Sequence, residues 1–234
     1  MPETPSSESP GLGGQTVRLV PTPVGDARVI VSPAPQARGA FVVGHGAGGG
    51  VGTRDLVALR RALPEHGIEV VAVEQPWKVA GRRIASAPRQ LDLAWLAVVE
   101  ALRLDLPLMV AGRSAGARVA CRTATAVGAV GVVALAFPLH PPGRPERSRL
   151  DELLGAGVPA LVVQGERDAF GRPEEFPAGG WPAGGEPFTL CTVPAADHSF
   201  AVPASAPVTQ AQALAVLVDA VTGWLGNRLR LTWC

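Results

Sequence analysis

The chain has 234 residues, 47% of them apolar and 18% charged, and 21 Lys and Arg stand against 20 Asp and Glu for a net charge of +1. Those proportions exclude a disordered or collagen-like chain. The near-neutral balance argues against a protein that grips nucleic acid or a membrane surface through bulk charge. A chain of this length suits one domain able to bury its own core without staples. Lys78 is the only lysine, so the abundance of arginine reads as coding bias rather than function. Cys121, Cys191 and Cys234 lie far apart with no C-x-x-C spacing, which points away from a zinc site or a disulfide framework; neither metal nor cofactor is expected.

Residues 1–15, rich in Pro, Ser and Gly, have no basic start and no apolar run. They are expected to form a disordered tail rather than a secretory signal. No stretch reaches the roughly 18 apolar residues of a spanning helix, so a cytoplasmic setting is the expectation. Residues 16–234 should form a single domain. Thr16–Val20, Arg28–Ser32 and Ala40–Gly44 are short β-branched runs between Pro and Gly turns, an antiparallel start leading into a central sheet. A helix should follow Thr53, its expected N-cap, through Leu56, Leu59 and Leu63 to His66 and Gly67. Ile68–Val73 is a near-continuous apolar run, as a parallel strand buried on both faces requires.

Leu91, Trp95, Val98, Val99 and Leu102 recur at helical spacing. Pro107–Gly112, Val130–Ala136 and Pro159–Gln164 read as three more buried strands, Phe188–Val193 as a last one, and Ala206–Leu225 as a closing amphipathic helix. The alternation is that of an α/β fold with a mostly parallel sheet flanked by helices. The Pro- and Gly-rich stretches Phe137–Glu146 and Arg172–Pro187 follow strands, where open α/β sheets bind ligands.

The strongest chemical signal is Gly112-Arg113-Ser114-Ala115-Gly116, a G-x-S-x-G between an apolar strand and a small-residue helix. Such a turn lifts a serine hydroxyl above the sheet, and the helix N-terminus offers the Ala115 amide to a developing oxyanion. A serine needs a base, and the base needs an acid to fix its tautomer. In the order Ser, acid, His, only His198 in AADHSF leaves room for an acid between. Asp168 in QGERDAFG, just past a strand, is the preferred acid, with Glu166 and Asp197 as rivals.

The glycine cluster after Ala40–Gly44 has two readings. Gly44, Gly46 and Gly49 satisfy G-x-G-x-x-G with Glu69 downstream, the pattern of a dinucleotide site. The preferred reading is an oxyanion loop in which Ala47 supplies the second amide. His45 in that loop is a candidate for the pocket wall.

The segments GHGAGGG, AGRSAGARVA, FPLHPPGRPE, QGERDAFG and ADHSF, in this order, resemble the α/β-hydrolase superfamily. Within it they resemble the small lidless group related to dienelactone hydrolases, and most closely the testis-expressed and NSL-complex α/β-hydrolase-like proteins with their bacterial relatives. The resemblance covers residues Thr16 to Leu225. It implies an α/β-hydrolase fold without a substantial cap, with Ser114 as nucleophile, Asp168 as acid and His198 as base, and it draws attention to His140. The expected activity is hydrolysis of a small carboxylic ester or related acyl compound. The alternative is a non-catalytic scaffold, since some members of the group look like parts of protein assemblies.

Overall fold

In the computed structural model, residues 9–10, 14–178 and 188–229 are described. Their strands are β1 (Ser9–Pro10), β2 (Thr16–Val20), β3 (Ala27–Ser32), β4 (Gly39–Gly44), β5 (Ile68–Glu74), β6 (Leu108–Arg113), β7 (Gly131–Leu135), β8 (Ala160–Gly165) and β9 (Phe188–Val193). They form one sheet in the order β1-β2-β3-β5-β4-β6-β7-β8-β9. β1, β2, β3 and β5 pair antiparallel, and from β5 through β9 every neighbouring pair is parallel.

The helices are α1 (Arg54–Ala62), α2 (Pro76–Val79), α3 (Pro88–Leu102), α4 (Ala115–Thr123), α5 (Leu150–Leu154) and α6 (Gln210–Leu229). Successive side chains of a strand point to opposite faces. Phe41, Val43, Val70, Ala72, Met109 and Ala111 accordingly pack in one core with Leu56 and Leu59 of α1 and Leu217 and Val221 of α6. Val42, Val71, Val110 and Val132 pack in the other, against Trp95 and Val98 of α3, Val119 of α4 and Leu153 of α5. Fully burying one such Val or Leu contributes about 1.5–3 kcal/mol. Coverage on both faces explains why these strands read as unbroken apolar runs.

β4 lies between β5 and β6, so the chain leaves β4 toward one edge of the sheet and later returns to its other side. Ligand crevices of open α/β sheets form at the carboxyl ends of strands flanking such a switch. Here those ends carry the glycine loop after β4 and the serine turn after β6. The connection between β7 and β8 holds only the five-residue α5, and no cap domain covers this end among the described residues.

The structure shifts several expected boundaries. Thr53 occupies the N-cap of α1 in an extended conformation, yet its side chain makes no capping hydrogen bond. α6 begins at Gln210 rather than Ala206, because Thr209 and Gln212 form the reciprocal bonds of a capping box: Gln212 N donates to Thr209 Oγ1, and Thr209 N to Gln212 Oε1. β7 is one residue shorter at each end than expected, with Val130 45% exposed and Ala136 turning the chain at a φ of 46°. The first helix ends in a separate 3-10 turn, Leu63–His66, closed by Gly67 at a φ of 69°. Within the stretch 1–15, expected to be disordered, Ser9–Pro10 pairs with Thr16–Val17 and Gln15 donates to Ser32 Oγ; residues 1–8 and 11–13 lie outside the described residues. No helix among the described residues is long and apolar enough to cross a membrane.

Candidate active site

Ser114 is the single residue between β6 and α4, at φ 52° and ψ −113°. A non-glycine residue held there costs of order 1–3 kcal/mol and persists only where its surroundings impose it. The surroundings are glycines in close contact. A Cβ on Gly112 would lie 2.1 Å from the carbonyl carbon of Gly116, and one on Gly116 would lie 2.8 Å from the carbonyl oxygens of Gly44 and His45. Only bare backbone lets β6, α4 and the loop after β4 meet here. The Ser114 N–H donates to Leu135 O at 2.9 Å, tying the turn to β7.

The structure brings the three expected residues together from separate loops. His198 Nε2 lies 2.9 Å from Ser114 Oγ, and His198 Nδ1 lies 2.9 and 2.8 Å from the two carboxylate oxygens of Asp168. Asp168 is fully buried. It also accepts hydrogen bonds from Gln164 Nε2 at 2.9 Å and from the Phe170 N–H at 2.8 Å. Because a carboxylate can only accept, Nδ1 carries the proton of the neutral imidazole and Nε2 offers its lone pair to the serine. The Phe170 ring stacks on His198 with centroids 4.1 Å apart and planes 27° apart, fixing the ring's tilt.

The rival carboxylates are engaged elsewhere, in shaping the loop that holds His198. Glu166 accepts from the Ala195 N–H, and Asp197 accepts from the Ser199 and Ala201 N–H groups at 2.7 and 2.9 Å.

The glycine loop after β4 packs over the serine: a Cβ on Gly46 would lie 3.1 Å from Ser114 Cβ. Among the described residues, the N–H groups of Ala47 in this loop and of Ala115 at the start of α4 make no hydrogen bond within the chain. His45 pins the loop from below. Its Nδ1 donates to Gly46 O at 2.8 Å, and its Nε2 accepts from the Gln75 N–H at 3.0 Å. Burial lowers its pKa, consistent with a neutral ring that both donates and accepts. Ala47, Ala115, Trp77, Leu91, Trp95 and His45 border an apolar cleft of about 10 Å³, room for roughly one water.

His140 sits in the loop after β7 with both nitrogens committed, Nδ1 to Pro141 O at 2.9 Å and Nε2 to Glu175 at 2.8 Å. Burial works against its charge, but the Pro141 carbonyl and the Glu175 carboxylate outweigh it and the pKa is raised.

Sequence reasoning missed Arg113, Asp55, Gln164 and Phe170. Arg113, the variable residue before the serine, is buried and donates from Nη2 to His198 O at 2.9 Å and to Ser199 Oγ at 3.3 Å. Its Nε lies 3.4 Å from the carboxylate of Asp55, which is wholly enclosed at the start of α1. Asp55 reads in the sequence as an ordinary first-turn acid, and no local pattern joins it to Arg113. The dinucleotide reading fails on register. Glu69 pairs with Ala40 at the start of β4, whereas the glycine loop leaves the opposite end after Gly44, which pairs with Val73. Among the described residues no group of three His, Cys, Asp or Glu could hold a metal ion.

Solved structures that share this fold include the following three. A serine hydrolase without a lid from Xanthomonas campestris is 22% identical, with a TM-score of 0.65 over 96% of this chain and 98% of its own. A dienelactone hydrolase from Anabaena variabilis is 16% identical, with a TM-score of 0.66 over 95% and 98%. Est1E from Butyrivibrio proteoclasticus is 15% identical, with a TM-score of 0.66 over 92% and 99%. No curated protein matches the sequence. A family model of the alpha/beta hydrolase domain matches residues 37–226, from just before β4 into α6, and the chain belongs to that family.

Proposed function

We propose that the protein is a serine hydrolase that cleaves a small carboxylic ester or related acyl compound through an acyl-enzyme. The observation that carries this reading is the continuous line of hydrogen bonds from buried Asp168 through His198 to Ser114 Oγ, ending beside two unengaged backbone N–H groups.

Ser114 Oγ attacks the carbonyl carbon while His198 Nε2 takes its proton. Asp168 holds the imidazolium that forms. The carbonyl oxygen, now an anion, is received by the N–H groups of Ala47 and Ala115, each worth about 2.7–4 kcal/mol in the transition state. As the tetrahedral intermediate collapses, His198 gives its proton to the departing alcohol or thiol. Water then attacks the acyl carbon, losing a proton to His198, and His198 passes that proton to Ser114 Oγ as the acid leaves. The narrow cleft beside Ala47 and Ala115 favours a short acyl group, and the absence of a cap over the described residues leaves the departing group in the open.

A fluorophosphonate probe should label the protein at Ser114, and Ser114→Ala should abolish the label with the fold intact by circular dichroism. Absence of label on the folded wild type overturns the hydrolase reading in favour of a binding scaffold.

A further inference from the structure

Between Glu74 and Asp92 the chain carries Lys78, Arg82, Arg83 and Arg89 and no acid. This segment runs past the candidate oxyanion loop. Ala47, Gly48, Trp77, Lys78, Arg82 and Arg83 line a groove of about 450 Å³, within the range of small-molecule sites. Ala47 and Trp77 also border the narrow cleft at Ala115, so groove and cleft share these two residues, one of them in the candidate oxyanion loop.

The charges of this groove are not neutralised from within. Lys78, Arg82 and Arg83 are exposed, and among the described residues none of the three is in an ion pair. Glu74, at the end of β5, is held by Arg28 at 2.6 Å. The Lys78 ammonium instead lies 5.9 Å over the Trp77 ring. Arg118 and Arg122, by contrast, share Glu152, and Arg122 also holds Asp92; other surface arginines, Arg61 and Arg103 among them, are in no ion pair among the described residues but stand apart from the reacting centre. In a chain of net charge +1, three unmatched cations around one groove are a local concentration of charge beside the reacting centre.

We infer that this groove is an anion subsite and that the substrate is an ester or thioester whose alcohol or thiol part carries a phosphate. A phosphate monoester brings about −1.5 to −2 charges near neutral pH, which three cations match and a single carboxylate does not. Guanidinium groups bind its oxygens in a paired geometry. The substrate assignment rests on the hydrolase reading, whereas the anion subsite does not.

The test has two arms. Phenyl phosphate, titrated into the wild-type protein and followed by calorimetry, should bind saturably at one site. Binding should weaken as ionic strength rises and by about tenfold or more in the Lys78→Gln/Arg82→Gln/Arg83→Gln variant, while Arg61→Gln on α1 leaves it unchanged. Lack of saturable binding, or equal affinity in the triple variant, overturns the subsite whether or not Ser114 turns over esters. In the second arm, acetyl esters of three alcohols are compared, one neutral, one bearing a carboxylate and one a phosphate. The phosphate ester should lead in kcat/KM by about tenfold, and the lead should vanish in the triple variant. A lead by the carboxylate ester, or none, overturns the phosphate assignment. If phenyl phosphate binds while Ser114 stays unlabelled by fluorophosphonate, the hydrolase reading fails and the subsite stands.

Discussion

Two histidine–carboxylate pairs stand in the loops of this protein. His198 meets Asp168, which is fully buried, and His140 meets Glu175, whose side chain is 36% exposed. Each ring gives one nitrogen to its acid; they differ in what faces the other. For His198 it is the Ser114 hydroxyl, which can donate a proton. For His140 it is the Pro141 carbonyl, which can only accept. Two acceptors require two N–H groups, so His140 is favoured as a cation and has no lone pair to offer, whereas His198 keeps Nε2 free to receive. A histidine beside an acid becomes a base only when its far nitrogen meets something with a proton to give.

The largest effects should come from breaking the His198 pair. Asp168→Asn offers an amide where Nδ1–H needs an acceptor, favours the wrong tautomer, and should lower kcat on a small ester by about 10⁴-fold. Glu175→Gln makes a similar chemical change in the other pair and should act on stability instead. Both are read by steady-state kinetics alongside thermal melts. Turnover that survives Asp168→Asn would show that the geometry around Asp168 does not serve the reaction.

Much of this arrangement was legible in the sequence, for identifiable reasons. β4, β5, β6, β7 and β8 are buried on both faces and therefore write continuous apolar runs. Ser114 stands out because its turn demands glycine on both sides, and His198 because only it follows an acid in the required order. The choice of Asp168 over Glu166 and Asp197 depends on which carboxylates the backbone of the His198 loop consumes, a tertiary fact that spacing does not encode. Arg113 and Asp55 are invisible for the same reason: one ends β6, the other starts α1, and only the packed fold joins them. The start of α6 differs from the expected one because it is settled by a reciprocal side-chain bond between Thr209 and Gln212, whereas Thr53 caps α1 as expected, through its extended backbone rather than a side-chain bond.

An intermediate effect should separate holding the His198 ring from holding its backbone. Arg113 binds the His198 carbonyl, and a base displaced by about 1 Å can cost up to roughly 10²-fold in rate. Arg113→Met should therefore lower kcat on a small ester by about 10- to 100-fold with little change in KM. Asp55→Ala leaves the buried Arg113 guanidinium without its counter-charge and should cost about 3–5 kcal/mol in urea denaturation. The double variant Arg113→Met/Asp55→Leu removes both charges and should recover most of that stability without recovering kcat. Recovery of kcat in the double variant would show that Arg113 acts through global stability alone and that the His198 loop needs no clamp.

The smallest effect lies in the other pair and is set by pH. The pKa of His140 is raised above its ordinary 6.5, so its contribution to stability is complete below about pH 6.5 and is lost as pH rises through the higher folded value. The pKa of Glu175 is lowered below 4.5, chiefly by the Arg172 N–H that donates to it, so its contribution is complete above that pH and is lost as pH falls through the lower folded value. The pair should therefore support the fold most between about pH 4.5 and 6.5. The difference in melting temperature between wild type and Glu175→Gln should be greatest in that window and shrink toward alkaline pH, modestly throughout because Glu175 is partly screened by solvent. Loss of the imidazole proton at high pH leaves one nitrogen facing an acceptor with nothing to donate. A difference that held constant into alkaline solution would mean that His140 is neutral, and the contrast with His198 would then have to rest on burial rather than on what each far nitrogen faces.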